Sequence, residues 1–204
     1  MKKKILNCAD RIIDTSISLN LISPSDKNTY LYGMKIFAQS CIIWLSVLFL
    51  GAISNQFFEN LVFFVSYKIL RKFTGGIHSS KFSVCYIISV FSNVIFLFCI
   101  KYFRDIKVSS NVYYIVGACL LILVSILAPV VDSNKPLSEK EKKIYKIIAI
   151  AISTVLFVMT GLLLYFVHQY EQYAVAIIMA VLLDVILLVI GGAKIVVNMR
   201  KNKA

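Results

Sequence analysis

IIAIAISTVLFVMTGLLLYFV, residues 147–167, contains no Asp, Glu, Lys or Arg. An α-helix crosses the hydrocarbon core of a bilayer with about 20 apolar residues, so this run predicts a membrane span. The stretch before it, Asp132 to Lys146, is the most polar loop of the chain. Within that loop Ser138 precedes Glu141 by three residues, a capping-box pattern that can start the helix ahead of the apolar run. After the run, His168-Gln-Tyr-Glu-Gln-Tyr173 reads as a tight turn, followed by a second apolar run over 174–193 and a basic tail over 194–204.

Similar runs extend towards the N-terminus. Spans are predicted at about 33–53, 82–100 and 112–131, the last ended by Pro129 and Asp132. The run 57–70 is shorter and carries Glu59 and Lys68 near its ends, so it crosses obliquely or re-enters. Residues 1–22 are amphipathic. Ile5, Cys8 or Ala9, Ile12 and Leu19 recur near helical spacing between Lys4, Arg11 and Asp14, as in a helix lying in the membrane interface or on the bundle surface. Ser23-Pro24-Ser25-Asp26 is a turn. The basic N-terminus has no long apolar core and no clean cleavage site, which argues against a removed signal peptide. The expected fold is therefore all-α. It is a polytopic membrane protein of about six transmembrane helices, the second short or oblique, with an N-terminal amphipathic interfacial helix. The whole chain, 1–204, is read as one membrane domain: interfacial helix 1–22, helical bundle 33–193 and basic tail 194–204.

Composition agrees. Apolar residues make up 59% of the 204, against about 45–50% in soluble domains, and the mean hydropathy is +0.83. A net charge of +12 would suggest nucleic acid in a soluble protein. Here the cations sit between hydrophobic runs, where topology and anionic lipid headgroups account for them, so lipid and not nucleic acid is the expected partner. Five cysteines without a CxxC spacing point to neither a zinc knuckle nor a disulfide framework, and no metal or cofactor is expected. With both termini inside, the inner segments hold 19 Lys and Arg and the outer loops three, which predicts a cell-membrane protein with cytoplasmic termini.

One inner loop combines groups that can do chemistry: Arg71-Lys-Phe-Thr-Gly-Gly-Ile-His78-Ser-Ser-Lys-Phe-Ser-Val-Cys85. On one straight helix His78 and Cys85 would share a face but lie about 10 Å apart along the axis, too far to hydrogen-bond. They can meet only if a helix starts after His78 and the loop folds back. Gly75 and Gly76 permit the turn, and Ser79 or Ser80 can cap the new helix. Cys85 would then lie in the first two turns of that helix, where the helix's positive end, an imidazole and Arg71 favour a thiolate. A thiolate with a histidine acid/base is minimal cysteine-peptidase machinery, and backbone N–H groups near Gly75-Gly76 could hold an oxyanion. The alternatives are plain. A lone cysteine in an apolar run is often a small hydrophobe, and Arg71, Lys72 and Lys81 can be topology residues alone.

The pattern Arg71-x3-Gly75-Gly76-x-His78-x6-Cys85 at the inner start of a span resembles the signature of the accessory gene regulator B (AgrB) family, membrane endopeptidases of bacterial peptide quorum sensing. The hydropathy, the chain length, the amphipathic N-terminal segment and the Asn134-Lys-Pro-Leu137 turn extend the likeness over most of the chain. The resemblance implies that His78 and Cys85 are the catalytic pair, with Arg71 and Gly75 at the family's arginine and glycine positions. It implies a propeptide substrate with an amphipathic leader and an acidic C-terminal tail. Cleavage through an acyl-thioester and cyclisation to a thiolactone or lactone would follow. The loops at 68–81 and 135–146 offer nine cations, among them Lys72 and Lys81, to an acidic tail.

A competing class is a small transporter or channel without covalent chemistry. Its motive is Asp184, an acid well inside the last span, where charge is expensive. Asp184 could equally be a packing residue in the bundle or in a homodimer contact. A zinc protease is disfavoured, since there is no HExxH and the two histidines are far apart.

Overall fold

A computed structural model describes residues 11–19, 21–75, 82–105, 108–130, 138–166 and 171–201. Six long helices follow one another: α1 (Lys27–Ile53), α2 (Phe57–Thr74), α3 (Phe82–Asp105), α4 (Ser110–Leu127), α5 (Glu139–Phe166) and α6 (Glu171–Lys201). The all-α, polytopic membrane architecture expected from hydropathy is the one observed. The chain divides into two compact units, residues 1–46 and 47–204, with the boundary inside α1.

In the first unit, residues 11–18 are helical and a single 3-10 turn, Pro24–Asp26, leads into α1. Lys27 pairs with Asp14 across that turn. Both side chains are exposed, so the pair contributes at most about 1 kcal/mol. Ile12 and Leu19 are exposed, as an interfacial helix requires of its apolar face, while Ile13 is buried. Ile5 and Cys8 lie outside the described residues.

The second unit is built around α6. Of its apolar window 61% is buried, against 22% or less for every other candidate span. Small residues explain this. Ala174, Ala176 and Ala180 are fully buried and let neighbouring backbones approach closely, the way helices pack in lipid. The other spans turn large apolar side chains outward: Phe91, Phe98, Ile115, Ile126, Ile147 and Tyr165 are among those exposed. In water such a surface would be an aggregation hazard, whereas in hydrocarbon it is the solvated face.

Five helices among the described residues are long and apolar enough to cross a membrane; α2 is not one of them. It is a continuous helix of 18 residues, longer than the 57–70 run suggested, and spans about 27 Å. Its polarity is turned inward. Glu59, Asn60, Ser66 and Thr74 are buried beside Phe63, Phe64 and Leu70. Asn60 is the hub of this face. Its amide donates to the Val47 carbonyl at 2.7 Å, and its side-chain oxygen accepts from Asn93 of α3. The Phe63 and Phe96 rings stack at 4.0 Å alongside.

Helix ends follow local chemistry. Ser138 and Glu141 form the expected capping box, with the Ser138 N–H donating to Glu141 Oε2 at 2.8 Å and the Glu141 N–H to Ser138 Oγ at 3.3 Å. The box starts α5 at Glu139, two turns before the apolar run. Helix α4 stops at Leu127, before Pro129. Helix α6 continues without a break through 194–201, the described part of the basic segment.

One position gives a direct stability test. A Cβ on Gly51 would meet Asn60 Cβ at 2.9 Å and Nδ2 at 2.7 Å, whereas one on Gly33 would meet nothing within 4 Å. In an open helical site Gly→Ala is favourable by about 1 kcal/mol. Gly33→Ala should therefore hold or raise the thermal midpoint in detergent, while Gly51→Ala lowers it. Equal shifts would show that Asn60 does not pack against this glycine.

Candidate functional site

The last two turns of α2 carry Tyr67, Lys68, Arg71, Lys72 and Thr74. Tyr67, Arg71 and Thr74 stand four and three residues apart, so they share one helix face. That face meets α6. Arg71 Nη1 lies 3.4 Å from Asp184 Oδ1, and the Thr74 hydroxyl donates to the same oxygen at 3.0 Å. Asp184 is fully buried, while the Arg71 side chain is 17% exposed. At 3.4 Å the arginine contact is an ion pair and not a short hydrogen bond, so Thr74 supplies the better-directed bond. Asp184 Oδ2 has no hydrogen-bond partner among the described residues. An acid placed mid-span, which suggested either transport or packing, is thus committed to the end of another helix.

Immediately after Thr74 the chain turns. Gly75 has φ +73°, a conformation that L side chains rarely adopt. It forms an isolated parallel bridge with Val130, and the Val130 N–H donates to the Thr74 carbonyl at 2.9 Å. A Cβ on Gly75 would lie 2.3 Å from the Val130 carbonyl oxygen. Glycine is therefore required twice over, by the dihedral and by the backbone approach. Two independent anchors, Asp184 on α6 and Val130 after α4, fix the end of α2. A third contact adds α5, where Phe73 meets the Tyr145 ring edge-on at 5.8 Å.

Cys85 is a free and exposed thiol in the first turn of α3, a helix that packs against α2. Of the residues singled out from sequence, Arg71, Lys72, Gly75 and Cys85 are described. Arg71 and Gly75 are tied to the protein interior. Lys72 places its Nζ over the Phe73 ring at 5.6 Å, and Lys68 sits over Phe64 at 5.2 Å. His78, Gly76 and Lys81 lie outside the described residues, as does the second histidine, His168. Among the described residues no three His, Cys, Asp or Glu side chains come together as a metal site.

Sequence reasoning did not find the partners Thr74 and Val130, or the pairing of Asp184 with Arg71. The signal for the pairing was present. A lone acid inside the last span must find a cation or be neutral, and an arginine closing an amphipathic helix is a natural candidate. Their separation of 113 residues hid the match.

The sequence model of the family described as accessory gene regulator B, AgrB, matches residues 6–188. The chain is 32% identical over 116 residues to a protein of Clostridium perfringens strain 13 named AgrB-like protein 2, covering 55% of this chain and 54% of that one. It is 27% identical over 138 residues to an AgrB-like protein of Clostridium perfringens strain SM101, covering 65% of this chain and 64% of the relative. It is 26% identical over 132 residues to the accessory gene regulator protein B of Staphylococcus saprophyticus, covering 65% and 68%. The matched stretch is thus about half to two thirds of the length of these relatives. No solved structure matches the chain. The family match covers most of the sequence, and the chain belongs to the accessory gene regulator B (AgrB) family of quorum-sensing systems.

Proposed function

We propose that the protein is a membrane-embedded cysteine endopeptidase that removes the C-terminal tail of a short quorum-sensing propeptide and promotes cyclisation of the remainder. The observation that carries this reading is the free, exposed thiol of Cys85 on the first turn of α3, a helix that packs against the doubly anchored α2. Family membership and the His78–Cys85 spacing supply the rest.

The chemistry balances without a cofactor. Cys85 Sγ attacks the carbonyl carbon of the bond before the tail, its proton passing to His78. The C–N bond breaks, His78 returns the proton to the departing amine, and the tail leaves. The acyl group stays on sulfur as a thioester. A thiol or hydroxyl within the substrate then attacks that carbonyl, its proton going to His78 as the bond to Cys85 breaks and the ring closes. A thioester conserves the acyl group's reactivity for ring closure, whereas direct attack by water would release a linear acid.

Arg71 grips a carboxylate of the acidic tail in this reading, with Lys72 and Lys81 adding weaker attraction. In this reading both termini and the site are cytoplasmic, which the 19-to-3 distribution of cations supports. The transporter reading began from Asp184. With that carboxylate held by Arg71 and Thr74, its motive falls away.

Cys85→Ala and His78→Ala should each abolish release of the tail in proteoliposomes while the protein still inserts. Ala at Cys41, Cys99 or Cys119 should retain most activity. Tail release by Cys85→Ala would sink the mechanism. For topology, Ser79→Cys and Glu139→Cys in an otherwise cysteine-free chain should resist an impermeant maleimide in intact cells, and Tyr170→Cys should react. Labelling at position 79 from outside would reverse the orientation.

A further inference from the structure

We infer that Asp184 is the positioning residue for Arg71 in substrate recognition: the α6 carboxylate and the Thr74 hydroxyl hold the guanidinium so that its free N–H groups can receive a carboxylate of the substrate's tail. The inference rests on the endopeptidase reading for the identity of the substrate. Its geometry stands independently of that reading.

Three observations support it. First, the pair is lopsided. Asp184 is fully buried, while Arg71 keeps 17% exposure, so one partner is fixed inside the bundle and the other reaches its surface. Second, the contact is incomplete. One guanidinium nitrogen approaches Asp184 at 3.4 Å, which leaves several N–H donors of the fork for another acceptor. A guanidinium saturated by its internal partner could not also bind a substrate; this one is oriented without being used up. Third, the hydroxyl of Thr74, one turn further on, donates to the same Asp184 oxygen at 3.0 Å, and Thr74 is itself fully buried. The acceptor is therefore held in place from two positions on α2. A cation fixed at the end of α2, the helix against which the Cys85 helix packs, is what a protease needs to register an acidic segment just beyond its cleavage point.

A purely structural role for the same contacts predicts a different pattern. If Asp184 merely held α2 on α6, its loss would weaken every substrate equally. If it orients Arg71, its loss falls on substrates with a charged tail. The test uses the full chain with Cys85→Ala in nanodiscs, so that binding is measured without turnover. The probes are two fluorescent synthetic peptides sharing an amphipathic leader, one ending in a run of glutamates and the other in glutamines. The unmodified Asp184 background should prefer the glutamate peptide. Asp184→Asn, which keeps the shape and removes the charge, should reduce that preference about tenfold by weakening the glutamate peptide, with the glutamine peptide changed less than about twofold. Thr74→Val should move in the same direction by less, and Thr74→Ser, which restores the donor, should behave like the parent. Equal weakening of both peptides, or an unchanged preference in Asp184→Asn, would overturn the inference. Cleavage by the Cys85-containing chain is scored separately. Its failure would sink the endopeptidase reading and leave the binding result to decide the role of Asp184.

Discussion

The contact of Asp184 with Arg71 and Thr74 is the constraint on which the arrangement of this protein depends. A carboxylate near the middle of a membrane span costs about 2.5–3.5 kcal/mol on insertion scales, and deleting one partner of a buried ion pair is costlier than never having had the pair. Asp184 is tolerable because the end of α2 comes to it. That requirement orders the neighbourhood. Helix α2 must turn its polar face inward, α6 must be lined with small residues to admit it, and the chain leaving α2 must turn at once. It does so at a glycine whose backbone lies against Val130.

The same constraint links the fold to the chemistry. Cys85 is exposed, on a helix whose buried face carries Asn93, Phe96 and Ile100, and nothing in α3 alone would set the thiol's position relative to a substrate. The fixed object nearby is the end of α2, tied to α6 through Asp184, to the α4–α5 connection through Val130, and to α5 through Phe73 and Tyr145. Tyr67 and Lys68 lie about two turns before that end. A cationic surface with one immobilised arginine suits a peptide that brings an acidic end to the membrane, because weaker screening near hydrocarbon lengthens the reach of each charge.

Much of this was legible in the residues. Long uncharged runs can hardly be anything but spans, and the Ser138–Glu141 box started α5 as its spacing required. The motif from Arg71 to Cys85 drew attention to the end of α2, where Asp184 and Val130 meet it. What could not be read was long-range pairing. Hydropathy treats α2 as a weak, shortened span because it counts Glu59, Asn60, Ser66 and Thr74 as polar; it cannot see that these groups are buried, with Asn60 bonded to Val47 and Asn93 and Thr74 to Asp184. Gly75 was read as a flexible turn, although its closer reason is the carbonyl of Val130, 55 residues later in the chain and invisible to any local rule. The continuation of α6 to Lys201 was hidden for the opposite reason: a basic run looks like a tail whether or not its backbone stays helical.

The central claim, that Cys85 carries the acyl group between cleavage and ring closure, can be tested by its covalent intermediate. A propeptide whose internal nucleophile is replaced by alanine should cleave once and stall. Intact mass spectrometry of the quenched protein should then show the tail-less peptide added to the chain. The adduct should map to Cys85, be released by neutral hydroxylamine, and be absent from Cys85→Ala. Stoichiometric tail release with an unmodified Cys85 would contradict the account.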